Sequence, residues 1–156
     1  KSVDRLIEIY CRSVGCNSKL LLNVPPTPAG LLHDTDVSRL AGFHTRLRSM
    51  FAEDHAAGRD LIWTPQGPAM TSAEMDLGRA VTISIARLEE PIELGQSVAR
   101  YTLSGWSGAE WQTLSRGTTI GYSRVDRFSP VEVRRVRLVI EDRVGTVHPI
   151  RIRLYS

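Results

Sequence analysis

The chain has 156 residues, 42% hydrophobic and 24% charged, with a formal net charge of +3, the composition of an ordinary globular domain. It holds no apolar run near the roughly 18 residues that cross a bilayer and falls short of the roughly 250 that close a (β/α)8 barrel, so neither a membrane partner nor a whole barrel is expected. Its arginines crowd the carboxyl-terminal half and alternate with apolar residues, as in Ile150-Arg-Ile-Arg-Leu154; that is the solvated face of strands, without a nucleic-acid-binding motif, and no nucleic-acid partner is expected.

Val3, Leu6, Ile7, Tyr10, Cys11 and Val14 follow the spacing of an amphipathic helix, predicted from Ser2 to Val14, with Gly15 as the residue that stops it. Leu20-Leu-Leu-Asn-Val24 is a continuous apolar run too short for a helix, and reads as a strand buried on both faces. Pro25, Pro26 and Pro28 forbid its continuation, and Gly30 supplies a turn. Asp34 is the predicted N-cap of a second helix, whose apolar face runs through Val37, Leu40, Ala41, His44, Leu47 and Phe51. Helix, buried strand, stiff loop and helix make up a β/α unit of a parallel barrel. The chain opens at Lys1, without an initiator Met, and turns helical at once, so the barrel's other strands are expected upstream.

From Ala52 to about Glu74 the periodicity lapses, with turn signals at Gly58-Arg59 and Gly67-Pro68. Beyond it the period becomes two. Val81, Ile83 and Ile85 alternate with polar residues, as do Ala99, Tyr101 and Leu103, and then Val136, Leu138 and Ile140. Short strands between glycine turns predict an antiparallel β-sandwich. The expected fold class is therefore α/β followed by all-β. Residues 1–52 are the end of a (β/α)8 barrel, 53–74 a linker and the start of the sandwich, and 75–156 the β-sandwich.

Chemistry-bearing residues are few. Asn23 lies at the carboxyl end of the predicted barrel strand, where active-site loops leave such barrels. Two roles are open to it: a hydrogen bond to a substrate hydroxyl, or a bond to loop backbone that holds the turn. Cys11 and Cys16 lack the spacing and number of a zinc site. His33, His44 and His55 recur at equal spacing, but the outer two flank the second helix, so no shared metal is expected. Asp34, Glu53, Asp54 and Asp60 sit in a helix start or linker and do not form the facing pair that glycosidic chemistry needs. Nucleophile elbows and phosphate-binding glycine loops are absent from the sequence, and no cofactor is expected. Among the aromatics, Trp111 leans toward the core, whereas Trp106, between Gly105 and Ser107, is the candidate for stacking on a sugar face.

Several segments resemble, in order, the α-L-fucosidases of glycoside hydrolase family 29, in their plant and bacterial branch. Val14-Gly-Cys-Asn-Ser-Lys-Leu-Leu-Leu-Asn-Val-Pro-Pro-Thr-Pro-Ala-Gly-Leu31 is similar to the last barrel strand and its loop, and Asp36-Val-Ser-Arg-Leu40 to the start of the closing helix. Asp60-Leu-Ile-Trp63-Thr-Pro65, Met75-Asp-Leu-Gly78, Glu90-Pro-Ile-Glu-Leu-Gly95, Gly117-Thr-Thr-Ile-Gly121-Tyr and Val136-Arg-Leu138 continue the match. The resemblance implies a retaining glycosidase acting on fucosylated oligosaccharides or glycoconjugates. Its Asp nucleophile and acid/base would lie on upstream barrel segments of the same polypeptide, so no catalytic residue falls in this chain. It also implies a galactose-binding-like or discoidin-like sandwich, with Asn23 at the active-site rim. One departure is the connection from Phe51 to Asp60, which looks shorter than the family's. The alternative function is a non-catalytic carbohydrate-binding or interaction module, for which Trp106 is the support.

Overall fold

A computed structural model describes residues 1–65 and 71–156; the turn expected at Gly67-Pro68 lies outside the described residues. Two helices, α1 (Val3–Ser13) and α2 (Asp34–Met50), precede six strands: β1 (Ile62–Pro65), β2 (Thr71–Glu89), β3 (Val98–Trp106), β4 (Trp111–Gly117), β5 (Arg124–Arg143) and β6 (Arg151–Tyr155). Every pairing between them is antiparallel, in the order β1-β2-β5-β3-β4, with β6 also on β2.

The helix ends follow from side-chain chemistry. Ser2 caps α1 by accepting from the Arg5 N–H. At α2 the cap is His33 rather than the expected Asp34: the His33 Nδ1 accepts from the Thr35 N–H, which leaves Asp34 and Asp36 in the first turn, where their charge suits the helix dipole. Gly15 ends α1 for a different reason from the one expected. It does not adopt a positive φ; instead, a Cβ there would lie 2.4 Å from the Cys11 carbonyl oxygen and 2.8 Å from Val125 Cβ. The glycine lets the helix end close on β5.

β2 and β5 are too long to stay straight. Their register slips between Asp76 and Val81, and again between Ile83 and Ile85 opposite Arg127 to Val131, where Pro130 occupies the irregularity that its missing N–H permits. The second slip turns Ile85 away from Ile83. Val81 and Ile83 enter the sheet's core, but Ile85 packs with the helices, so the single face expected for all three is split. Tyr101 measures the bending. Its backbone is paired with Ile140, yet its hydroxyl donates to the Asp126 carboxylate at 2.6 Å. A straight strand would hold Asp126 and Ile140 about 46 Å apart, far beyond the reach of a phenol ring, so β5 curls back over β3.

Two apolar clusters result. The larger fills the curled sheet with Met75, Ile83, Leu88, Tyr101, Leu103, Leu138, Ile140 and Leu154. The smaller joins Leu6, Ile7, Cys11 and Phe43 of the helices to Ile85, Val125 and Tyr155. Between helices and strands, the connection at 52–60 is anchored: Asp54 Oδ1 accepts from the Ala56 and Leu154 N–H groups, and the His55 N–H donates to the Leu154 carbonyl.

The expected strand at Leu20–Val24 does not form within this chain. These residues carry no regular secondary structure, and Leu21 is 94% exposed. A parallel strand is made by its neighbours' hydrogen bonds, and no described strand lies beside it.

Glu90 is 5% exposed, and its carboxylate accepts from the Ser97 N–H and hydroxyl, the Val98 N–H and the Gly121 N–H, at 2.7 to 3.0 Å. Glu90→Ala strands three buried backbone donors and is expected to destabilise the fold by about 3 kcal/mol, read from chemical denaturation; a loss below about 1 kcal/mol would show that the network is dispensable. Burial, reinforced by the nearby Asp126 carboxylate, pushes the Tyr101 phenol well above its ordinary range. Folding thus favours the protonated phenol. That stabilisation is complete below about pH 10, where the unfolded chain also keeps this proton, and is lost as pH climbs toward the folded-state value. Thermal melts should therefore decline above about pH 10, and less steeply in Tyr101→Phe; an identical decline would exclude Tyr101 as a source.

Candidate functional site

The segment after α1 is fixed to the sheet before it runs free. Asn17 takes a left-handed backbone, φ 63°, a conformation that Asn tolerates better than most residues. Its Nδ2 donates to the Ile120 carbonyl at 2.8 Å, its Oδ1 accepts from the Ser123 N–H at 2.9 Å, and its own N–H donates to the Ser123 carbonyl. Around it, the Val125 N–H donates to the Gly15 carbonyl, and the Tyr122 hydroxyl to the Ser18 carbonyl. Gly121, at φ 64°, leaves the room: a Cβ there would sit 2.4 Å from Asn17 Oδ1. The clasp thus joins two segments far apart in sequence, residues 15–18 and 120–125.

From this clasp the chain emerges as Leu20–Val24 and enters the proline loop, which is closed by a bridge between Pro26 and Leu32 and by the Thr27 hydroxyl donating to the Leu31 carbonyl. Asn23 is exposed and makes no side-chain hydrogen bond among the described residues. It lines a cleft of about 80 Å³ with Lys1, Leu6, Asp36 and Arg39. The loop's own bonds come from Thr27, not Asn23, so Asn23 is not the turn-holding residue. Leu22 and Val24 are half-buried, whereas Leu21, Leu31 and Leu32 are exposed.

Trp106 lies elsewhere, as the last residue of β3 and directly opposite Trp111 of β4. Their rings are 5.5 Å apart between centroids and tilted by 53°. Arg135 lies over both, at 5.0 Å from Trp106 and 5.5 Å from Trp111, and Arg137 sits 3.9 Å from Trp111. Glu74 pairs with Arg137 at 2.7 Å and fixes this arrangement. Both indoles are half-buried and neither belongs to the apolar core, which corrects the core-leaning expectation for Trp111. The signal for that pair was cross-strand register, which the sequence does not print. Among the described residues, the cleft that Asn23 lines does not include Trp106.

Several ionisable groups are engaged within the fold. Asp126, 5% exposed, accepts from Tyr101, Ser115 and Arg124. Although burial works against its charge, the Arg124 guanidinium is held above its ordinary range by that Asp126 bond. Cys11 and Cys16 are free thiols, and burial pushes the Cys11 thiol up. Among the described residues no cluster of His, Cys, Asp and Glu has the makings of a metal site.

No protein-family model matches the chain. A protein of Oryza sativa subsp. japonica, provisionally named alpha-L-fucosidase 1, is 30% identical across 90% of this chain and 32% of its own length. Alpha-L-fucosidase 1 of Arabidopsis thaliana is 28% identical across 90% of the chain and 34% of its own. The chain therefore spans about a third of the curated relatives it matches. The crystal structure of SpGH29 superposes with a TM-score of 0.93 at 31% identity, over 100% of this chain and 39% of the other. In sequence and in fold, the chain is similar to the carboxyl-terminal portion of the glycoside hydrolase family 29 α-L-fucosidases.

Proposed function

We propose that the chain is the carboxyl-terminal part of a retaining α-L-fucosidase that hydrolyses terminal α-L-fucosyl linkages of glycoconjugates. In this reading, residues 1–52 complete a (β/α)8 barrel, 53–74 are the linker and start of a galactose-binding-like β-sandwich, and 75–156 are its body. One observation carries it. In a chain similar to fucosidases, the apolar run Leu20–Val24 is held out by the Asn17 clasp, with Leu21 94% exposed. An extended apolar segment of this kind is a barrel strand waiting for its parallel neighbours.

The catalytic carboxylates are assigned upstream of this chain. In support, Glu90 and Asp126 are consumed by internal hydrogen bonds, and Asp54 caps backbone N–H groups. A retaining enzyme uses two carboxyl groups about 5 Å apart, one forming a glycosyl-enzyme and the other serving as acid and then base. This chain's part is to close the barrel and to set Asn23 at the rim, its amide free to bond a sugar hydroxyl. The curled sheet buttresses the barrel through α1 and α2.

The joined protein is expected to release the aryl group from an aryl α-L-fucoside with retention at the anomeric carbon, and the isolated chain to release none. Reproducible turnover by the pure isolated chain would place the nucleophile here and overturn the assignment. A second reading, a carbohydrate-binding module, is favoured only by the partly exposed Trp106. If Trp106 stacks on sugar, calorimetry with a fucosylated oligosaccharide should give heat that Trp106→Ala abolishes; absence of heat in the unmodified chain removes that role.

A further inference from the structure

We propose that the cleft between α1 and strands β4 and β5 binds the anionic group, sulfate ester or carboxylate, of an acidic saccharide; the saccharide half of this assignment rests on the fucosidase reading. The cleft encloses about 550 Å³, and its charged lining is Arg12, Arg116, Arg124 and Arg127 against Glu8 and Asp126.

Both carboxylates are already spent. Asp126 accepts two hydroxyls, from Tyr101 and Ser115, and pairs with Arg124 at 2.7 Å. Glu8 lies between Arg5 and Arg12, and these cations hold its carboxyl below the ordinary range, the Arg5 hydrogen bond first. Arg127 adds the weakest of the cationic fields on Glu8, and neither it nor Arg116 has a direct carboxylate partner among the described residues. Both arginines are exposed.

Most other sheet arginines are matched. Arg87, Arg151 and Arg153 gather on Glu89; Arg135 and Arg137 pair with Glu74; Arg134 pairs with Asp76 and Arg100 with Glu141. The two unmatched cations are also brought together by the fold. Arg116 of β4 and Arg127 of β5 line the same cleft, beside Ser115 and Asp126, whose side chains are bonded at 2.7 Å.

Two guanidinium forks on one cleft suit an oxyanion with several acceptor oxygens, because each fork makes parallel charge-assisted bonds. Exposure lets solvent compete for a single small ion, so affinity should come from repeated anionic groups on one chain. A neutral saccharide offers the cleft nothing that water does not.

Binding of the full chain to dextran sulfate, carboxymethyl dextran and neutral dextran, measured by titration at low and moderate salt, tests this. Both charged polymers, or the sulfated one alone, should bind with salt-sensitive affinity, and neutral dextran should not. The double variant R116Q/R127Q should bind about tenfold more weakly. R48Q/R134Q removes the same charge from exposed positions outside the cleft and should stay within about twofold. Equal weakening in the two double variants, failure of dextran sulfate to bind, or equal binding to neutral dextran would each overturn the site. None of these polymers contains fucose. A joined protein that fails on aryl fucosides would therefore end the fucosidase reading without touching this result, and the reverse also holds.

Discussion

Much of this molecule hangs on one polar contact, the bidentate grip of Asn17 on residues 120–123, backed by Gly121. On one side Gly121 leaves room for the Asn17 amide; on the other its N–H donates to the buried Glu90 carboxylate, and its carbonyl accepts from the Glu90 N–H. Glu90 in turn holds Ser97 and Val98 at the start of β3. A single turn thus fastens the helical segment, the end of β2 and the start of β3. Since buried polar groups are costly unless bonded, the network tolerates little slack. The direction in which Leu20–Val24 leaves the sheet is set by it.

The helices and most strands were legible because their apolar periods are long and clean. Leu6, Ile7 and Cys11 line one face of α1, and Val136, Leu138 and Ile140 alternate inward on β5. What escaped was set by tertiary contact. The slip that sends Ile85 to the helical cluster has no local signature, and the His33 cap depends on a ring orientation that composition does not give. Gly15 was rightly placed at the helix end but for the wrong cause: its signal is crowding by Cys11 and Val125, not backbone handedness.

The candidate site was legible in position more than in role. The apolar run ending at Asn23 pointed to a loop of interest, and the exposed, unbonded Asn23 removes the turn-holding reading of that residue. Trp106 and Trp111 looked like one exposed and one buried indole; in space they are equivalent partners beneath Arg135. Pairing across strands, and not sequence neighbours, decides which aromatics share a surface. The arginine surplus was read, from its alternation with apolar residues, as the solvated face of strands. Resolved residue by residue, it includes cations with carboxylate partners, such as Arg137 on Glu74, and the pair at the cleft.

The flanks of the exposed leucines have a consequence for how this chain behaves in solution. An unpaired apolar segment with Leu21 94% exposed is a template to which a second copy can add. Lys19 on one side and Pro25 and Pro26 on the other confine that template to a few residues, since the prolines cannot donate to a ladder and the lysine resists stacking against its own copy. The stiffness of the proline loop therefore doubles as a gatekeeper against self-association at the exposed Leu21.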